Sequence, residues 1–223
     1  MKTHTATTRA AAARLFAFAA FGMLTWSAFG QGQVIFDNYI PGIVDARVSV
    51  LYDDGTRALV DGSDPLFRAA LLGGPLGTLV ATSFSPGDLK ALSSPTDPSE
   101  TYVGFATGQN AGLVDVDGNA ARVITGVNWG GVAMVQMVAW YGDYTSYADA
   151  ISADAPRGFS LPLSLTLPSS PTAADKGYLI GLQPFDIVGV PEPSIFALGA
   201  AGVAILVSRG HRRGGGEEAA KPT

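Results

Sequence analysis

Four leucines at alternate positions, Leu161, Leu163, Leu165 and Leu167, are set against Ser160, Pro162, Ser164 and Thr166. A period of two gathers one set of side chains on one face, which an extended strand does and a helix does not. Pro162 has no N–H to offer a second neighbour, so the strand is predicted at a sheet edge. The same period recurs elsewhere. Val48, Val50 and Tyr52 alternate with Ser49 and Leu51 before Asp53-Asp54-Gly55-Thr56, a hairpin-type turn. Val123, Thr125, Val127 and Trp129 alternate further on. Residues 134–140, Met-Val-Gln-Met-Val-Ala-Trp, form an unbroken apolar run, expected to be the core strand with both faces covered.

Other segments are short and punctuated. An apolar stretch at 67–72 is expected to end at once at Gly73-Gly74-Pro75-Leu76-Gly77 and to resume at Leu79-Val80-Ala81. Pro86, Pro95 and Pro98 fall in a loop rich in Ser, Pro and Asp, read as the flexible or inserted part of the domain. Residues 143–151 are read as a turn or short helix, and 179–182 with 185–188 as the last strand. Short strands at roughly ten-residue spacing, without sustained 3.6-residue periodicity, predict an all-β fold. The expected architecture is a single antiparallel β-sandwich of jelly-roll or Ig-like type.

The two ends read differently. Lys2, Arg9 and Arg14 precede an apolar segment at 15–24, and Ala28 and Gly30 supply the small residues of a cleavage site. This is the order of a secretory signal peptide, with cleavage expected after Gly30. At the other end Val190-Pro191-Glu192-Pro193-Ser194 leads into an uncharged run at 195–207, followed by Arg209, Arg212 and Arg213. As a helix the run spans roughly 22 Å, less than the ~30 Å of a hydrocarbon core, which suits a temporary hold on the bilayer. The arginines belong on the cytoplasmic side, which puts everything before Pro191 outside.

These three features in this order resemble the PEP-CTERM sorting signal of Gram-negative envelope proteins, which the membrane protease exosortase handles. The resemblance covers only the tag. It implies that Pro191, Glu192 and Pro193 are what the sorting enzyme recognises, that cleavage falls near them, and that the inner membrane holds the chain transiently. An ordinary single-pass anchor on a proline-containing stalk is the alternative. The chain then divides into a signal peptide (1–30), an exported β-sandwich (31–189), the sorting motif (190–194), a transmembrane helix (195–208) and a basic cytoplasmic tail (209–223).

Composition narrows what the exported part does. Residues 31–189 hold seven Lys or Arg against sixteen Asp or Glu, a net charge near −9, more acidic than the −5 of the whole chain. Such a surface repels nucleic acid, which is excluded as a partner. There is no cysteine, so the core must hold the domain without disulfides. The two histidines, His4 and His211, lie outside 31–189. A Ser-His-Asp triad, a Cys-His dyad and a His-ligated zinc site therefore have no residues to form from.

A carboxylate pair of glycosidase type remains a distant alternative, but Glu100 is the only glutamate of the region and sits in the Pro-rich loop. Asp115-Val116-Asp117-Gly118-Asn119 has the outline of a calcium loop. Its glycine comes too early and position twelve is Gly126, so a hairpin turn is preferred there, as at Asp53-Asp54-Gly55. No catalytic residue, metal or cofactor is assigned. Trp129, Trp140, Tyr141, Tyr144 and Tyr147 cluster in sequence. The two tryptophans end strand-like runs and are expected in the core. Tyr144 and Tyr147 lie in a polar stretch and are the expected exposed pair for contact with extracellular polysaccharide. The reading is a non-catalytic structural or adhesive protein of the envelope or extracellular matrix. A glycan-binding module is the runner-up.

Overall fold

The computed structural model describes residues 31–116, 118, 120–170 and 177–190. Its strands in chain order are β1 (Gln31–Ile35), β2 (Tyr39–Ile40), β3 (Val44–Asp45), β4 (Val48–Leu51), β5 (Arg57–Leu59), β6 (Phe67–Pro75) and β7 (Lys90–Ala91). Then come β8 (Gly104–Phe105), β9 (Val114–Asp115), β10 (Ala121–Asn128), β11 (Val132–Tyr141), β12 (Arg157–Phe159), β13 (Leu163–Thr166) and β14 (Phe185–Val188). One α-helix, α1 (Tyr147–Ser152), follows β11. The described region is thus mostly β. None of its helices is long and apolar enough to cross a membrane. The expected signal peptide, the sorting motif after Val190, the transmembrane helix and the arginine cluster lie outside the described residues.

The largest sheet runs β5-β4-β14-β12-β11-β6-β7, with β13 also paired to β11. Strand β11 is its centre: β6 follows one edge from Tyr141↔Phe67 to Ala133↔Pro75, and β12 and β13 share the other. Between those two, Ser160 substitutes for a ladder that Pro162 cannot continue. Its N–H donates to Met137 O at 2.8 Å, and its Oγ accepts from Met137 N–H at 3.1 Å. The core-strand expectation holds; the edge strand forms only over Leu163–Thr166, paired to β11, while Leu161, 70% exposed, and Pro162 lie outside it.

Two departures concern pairing. Strands β4 and β14 run parallel, Val48 opposite Phe185, so the sheet is mixed rather than purely antiparallel. Strand β6 also continues through Gly73 and Gly74 to Pro75 instead of stopping at the glycines. The reason is close approach: a Cβ on Gly73 would lie 2.9 Å from Leu92 Cδ1, so the absent side chain makes room for the next segment. Residues 79–81 form no strand, and Leu179 and Leu182 close a turn through Leu182 N–H to Leu179 O at 3.0 Å.

Alternate residues of β6 and β11 feed two separate apolar clusters. Ala69, Leu71, Val135 and Met137 pack with Val34, Phe36 and Ile124 of the small β1–β10 sheet and its flank. Ala70, Leu72, Val138 and Trp140 face the other way, against Tyr147 and Ala150 of α1 and the loop residues Ala81 and Leu89. That is why the run at 134–140 is apolar at nearly every position. The hairpin at Asp53-Asp54-Gly55 forms between β4 and β5, with Gly55 at φ +83°. The hairpin expected at 115–119 does not form between the flanking strands: β9 pairs with β8 and β10 with β1.

Candidate functional site

Helix α1 is short and therefore depends on its ends. Ser146 caps it by accepting from Asp149 N–H at 3.1 Å. At the other end Asp154 N–H donates to Ile151 O at 3.0 Å and Ala155 N–H to Ala150 O at 2.9 Å. This is the paired pattern of a Schellman stop, with Asp154 at φ +51° where glycine is usual. The aspartate also reaches the first residue of β12: its Oδ1 accepts from Nη1 and Nη2 of Arg157, each at 3.2 Å.

Across from α1, three side chains hold the loop that leaves β6. Gln136 exchanges two hydrogen bonds with the Ala81 peptide, accepting from its N–H at 2.8 Å and donating to its O at 3.1 Å. The Tyr147 hydroxyl donates to Thr82 O at 3.3 Å. Arg157 Nε donates to Ser83 O at 2.8 Å. Thr82 then closes a tight turn, its N–H donating to Ser85 O at 2.7 Å. The residue presented at that turn is Phe84, which is 89% exposed. The Pro-rich stretch read as flexible is thus tied down in this part. Farther along it carries β7, and Ser93 bridges to Val123.

Between this loop and the end of α1 lies a groove of about 500 Å³. Ser83 and Phe84 form one wall, residues 154–157 another, and Val188 with Gly189 the third. Val188 is brought there by pairing with Arg157 across β12 and β14. Arg157 is 12% exposed at its side chain and Asp154 95%, so the guanidinium is set into the wall and the carboxylate stands out from it.

The aromatic residues singled out from sequence are not an exposed pair. Tyr147 is 3% exposed and packs against Trp140, ring centroids 6.3 Å apart. Burial pushes its hydroxyl pKa up to about 12, with the Arg157 charge opposing. The helical turn at 147–152 carries it inward, which the polar stretch around it conceals. Tyr144 is half-buried, and its carbonyl accepts from Trp140 Nε1 at 3.1 Å and Arg68 Nη1 at 2.6 Å. Trp140 is fully buried as expected, and Trp129 is half-buried. The sorting residues Pro191, Glu192 and Pro193 lie outside the described residues, immediately after buried Val190.

Glu100 faces a cation, not a second carboxylate. Its Oε1 accepts from Arg122 Nη2 at 2.7 Å, and Arg122 is 1% exposed with its guanidinium 5.7 Å from the Phe36 ring centroid. Burial lowers the Arg122 pKa, and the Glu100 charge opposes that. Among the described residues no three acidic side chains converge as metal ligands. Sequence reasoning missed Phe84, Asp154 and Arg157. The usable signal was Phe84 alone, a large apolar side chain inside Thr-Ser-Phe-Ser-Pro-Gly. Comparison with known protein families, with curated proteins and with solved structures finds no match to this chain.

Proposed function

We propose that this chain is an exported envelope or extracellular-matrix protein with a non-catalytic, structural or adhesive role, sorted through a PEP-CTERM tag by an exosortase-type protease. The observation that carries the reading is the order of features at the two ends: Lys2, Arg9 and Arg14, an apolar segment and small residues at one, and Val190-Pro191-Glu192-Pro193-Ser194, an uncharged run and an arginine cluster at the other. Strand β14 ends at Val188, and Val190 packs into the core directly before Pro191. A β core that takes in Val190 beside the expected sorting motif fits an exported unit carrying such a tag.

The packing of the β1–β10 pair over β6 and β11 supports treating 31–189 as one sandwich unit. Engagement of the region's only glutamate by a buried arginine supports a non-catalytic role, since a glycosidase pair needs two carboxylates flanking one bond. Intact-mass analysis of the protein recovered from the envelope and medium of its native host tests the sorting. The expected mass starts at Gln31 and ends within 191–194. A mass that retains 195–223 identifies a permanent single-pass anchor and removes the sorting step.

A further inference from the structure

The groove beside Phe84 has the character of a site that is set before anything binds. Three successive residues, Ala81, Thr82 and Ser83, are held by Gln136, Tyr147 and Arg157, and the fourth presents a ring on a residue 89% exposed. A ring on a loop fixed in this way loses little further freedom on binding. Opposite it stands a carboxylate and guanidinium side by side. Asp154 Oδ1 is occupied by Arg157, and Oδ2 accepts no bond among the described residues. Asp154 holds this position at a left-handed backbone angle that glycine adopts at lower cost.

We propose that this groove binds a neutral saccharide, one pyranose ring lying on Phe84 and its vicinal hydroxyls bridging the Asp154 carboxylate and the Arg157 guanidinium. The chemistry selects the class. A pyranose with equatorial hydroxyls presents a face of C–H groups to an aromatic ring and an edge of paired hydroxyls, each both donor and acceptor. An acceptor next to a donor matches that edge. A purely apolar partner would strip water from Asp154 and return no hydrogen bond. An acidic sugar would meet both the outstanding carboxylate and a domain of net charge near −9. The volume, about 500 Å³, lies within the ~300–1,000 Å³ of small-molecule sites. The inference rests on the adhesive reading above and gives it a ligand class, but its test does not depend on export or sorting.

The test uses the full chain in a zwitterionic detergent without a sugar headgroup, titrated with cellotetraose and followed by saturation-transfer NMR. Wild type is expected to bind saturably. Phe84→Ala should weaken binding about tenfold, equivalent to roughly 1.4 kcal/mol. Asp154→Gly should weaken it too, and both variants should keep the wild-type melting temperature within a few degrees, since both side chains are exposed. Absence of saturable binding by wild type overturns the proposal, as does Phe84→Ala binding as tightly as wild type. Preference for a hyaluronate oligosaccharide over cellotetraose overturns the neutral class.

Discussion

Gln136 and Ala81 are 55 residues apart in sequence and exchange two hydrogen bonds, side-chain amide to backbone amide, at 2.8 and 3.1 Å. The same Nε2 also donates to Ser160 O at 2.9 Å, so one buried side chain joins the centre of the sheet to two segments. Gln136→Leu would keep the volume and leave the Ala81 and Ser160 groups without partners. Stability should fall by about 2–4 kcal/mol. Urea denaturation measures that loss. Hydrogen exchange at the Ala81 amide separates it from a general weakening, because that amide should exchange well ahead of those in β11. Protection equal to that of β11 would mean the clamp is not what fixes the loop.

Tyr147 makes stability depend on alkaline pH. Its hydroxyl pKa is raised from 10.0 to about 12 by burial, so the folded state favours the neutral phenol. The stabilisation is complete below pH 10, where both states are protonated, and is lost as pH rises through about 12, with a total near 2–3 kcal/mol. Tyr141, raised by burial and by Asp64, acts in the same direction. Tyr147→Phe removes only the Tyr147 share. At neutral pH it should cost less than about 1 kcal/mol, since the bond to Thr82 O is long at 3.3 Å. Unfolding free energies measured from pH 9 to 12.5 should fall less steeply for the variant, and parallel curves would refute the burial argument.

Glu100 and Arg122 form a pair in which only one partner is deeply buried, the guanidinium at 1% exposure and the carboxylate at 31%. Glu100→Gln removes the charge facing the buried cation and should destabilise by about 3 kcal/mol. Arg122→Met combined with Glu100→Gln should recover most of the loss, because a thioether fits the apolar surroundings near Phe36. A double-mutant cycle by chemical denaturation reads the difference. Additive effects in the two single variants would show the two residues to be uncoupled.

What was legible in the sequence was local. The run at 134–140 announced a strand covered on both faces, and Pro162 announced an edge, because each pattern depends on residues next to one another. Pairing across the fold left no such mark. Val48 and Val50 look alike whether their neighbour is antiparallel β5 or parallel β14. Gly73 reads as a breaker in sequence, yet serves as room for Leu92. The groove was hidden for the same reason: the side chains that fix Ala81, Thr82 and Ser83 come 55, 65 and 74 residues later. Tyr147 reads as exposed in sequence because a single helical turn reverses which side of a polar stretch faces the core.

Gly158 provides the sharpest test of how β12 sits between its neighbours. It pairs with Ala139 of β11, and a Cβ there would run into the Asp186 carbonyl and lie 3.2 Å from Ile187 Cα. These are backbone atoms of β14 and its pairing edge, so no side chain can turn aside to relieve the contact. Gly158→Ala should therefore part β12 from β14 and cost about 3 kcal/mol or more. Gly104→Ala is the control: no heavy atom lies within 4 Å of the added methyl and the backbone angle is not left-handed, so the change should stay within about 0.5 kcal/mol. Thermal unfolding of the two variants decides the matter. Equal melting temperatures would mean that β12 and β14 do not approach as closely as the fold requires, and Arg157 and Val188 would then not form a shared groove wall.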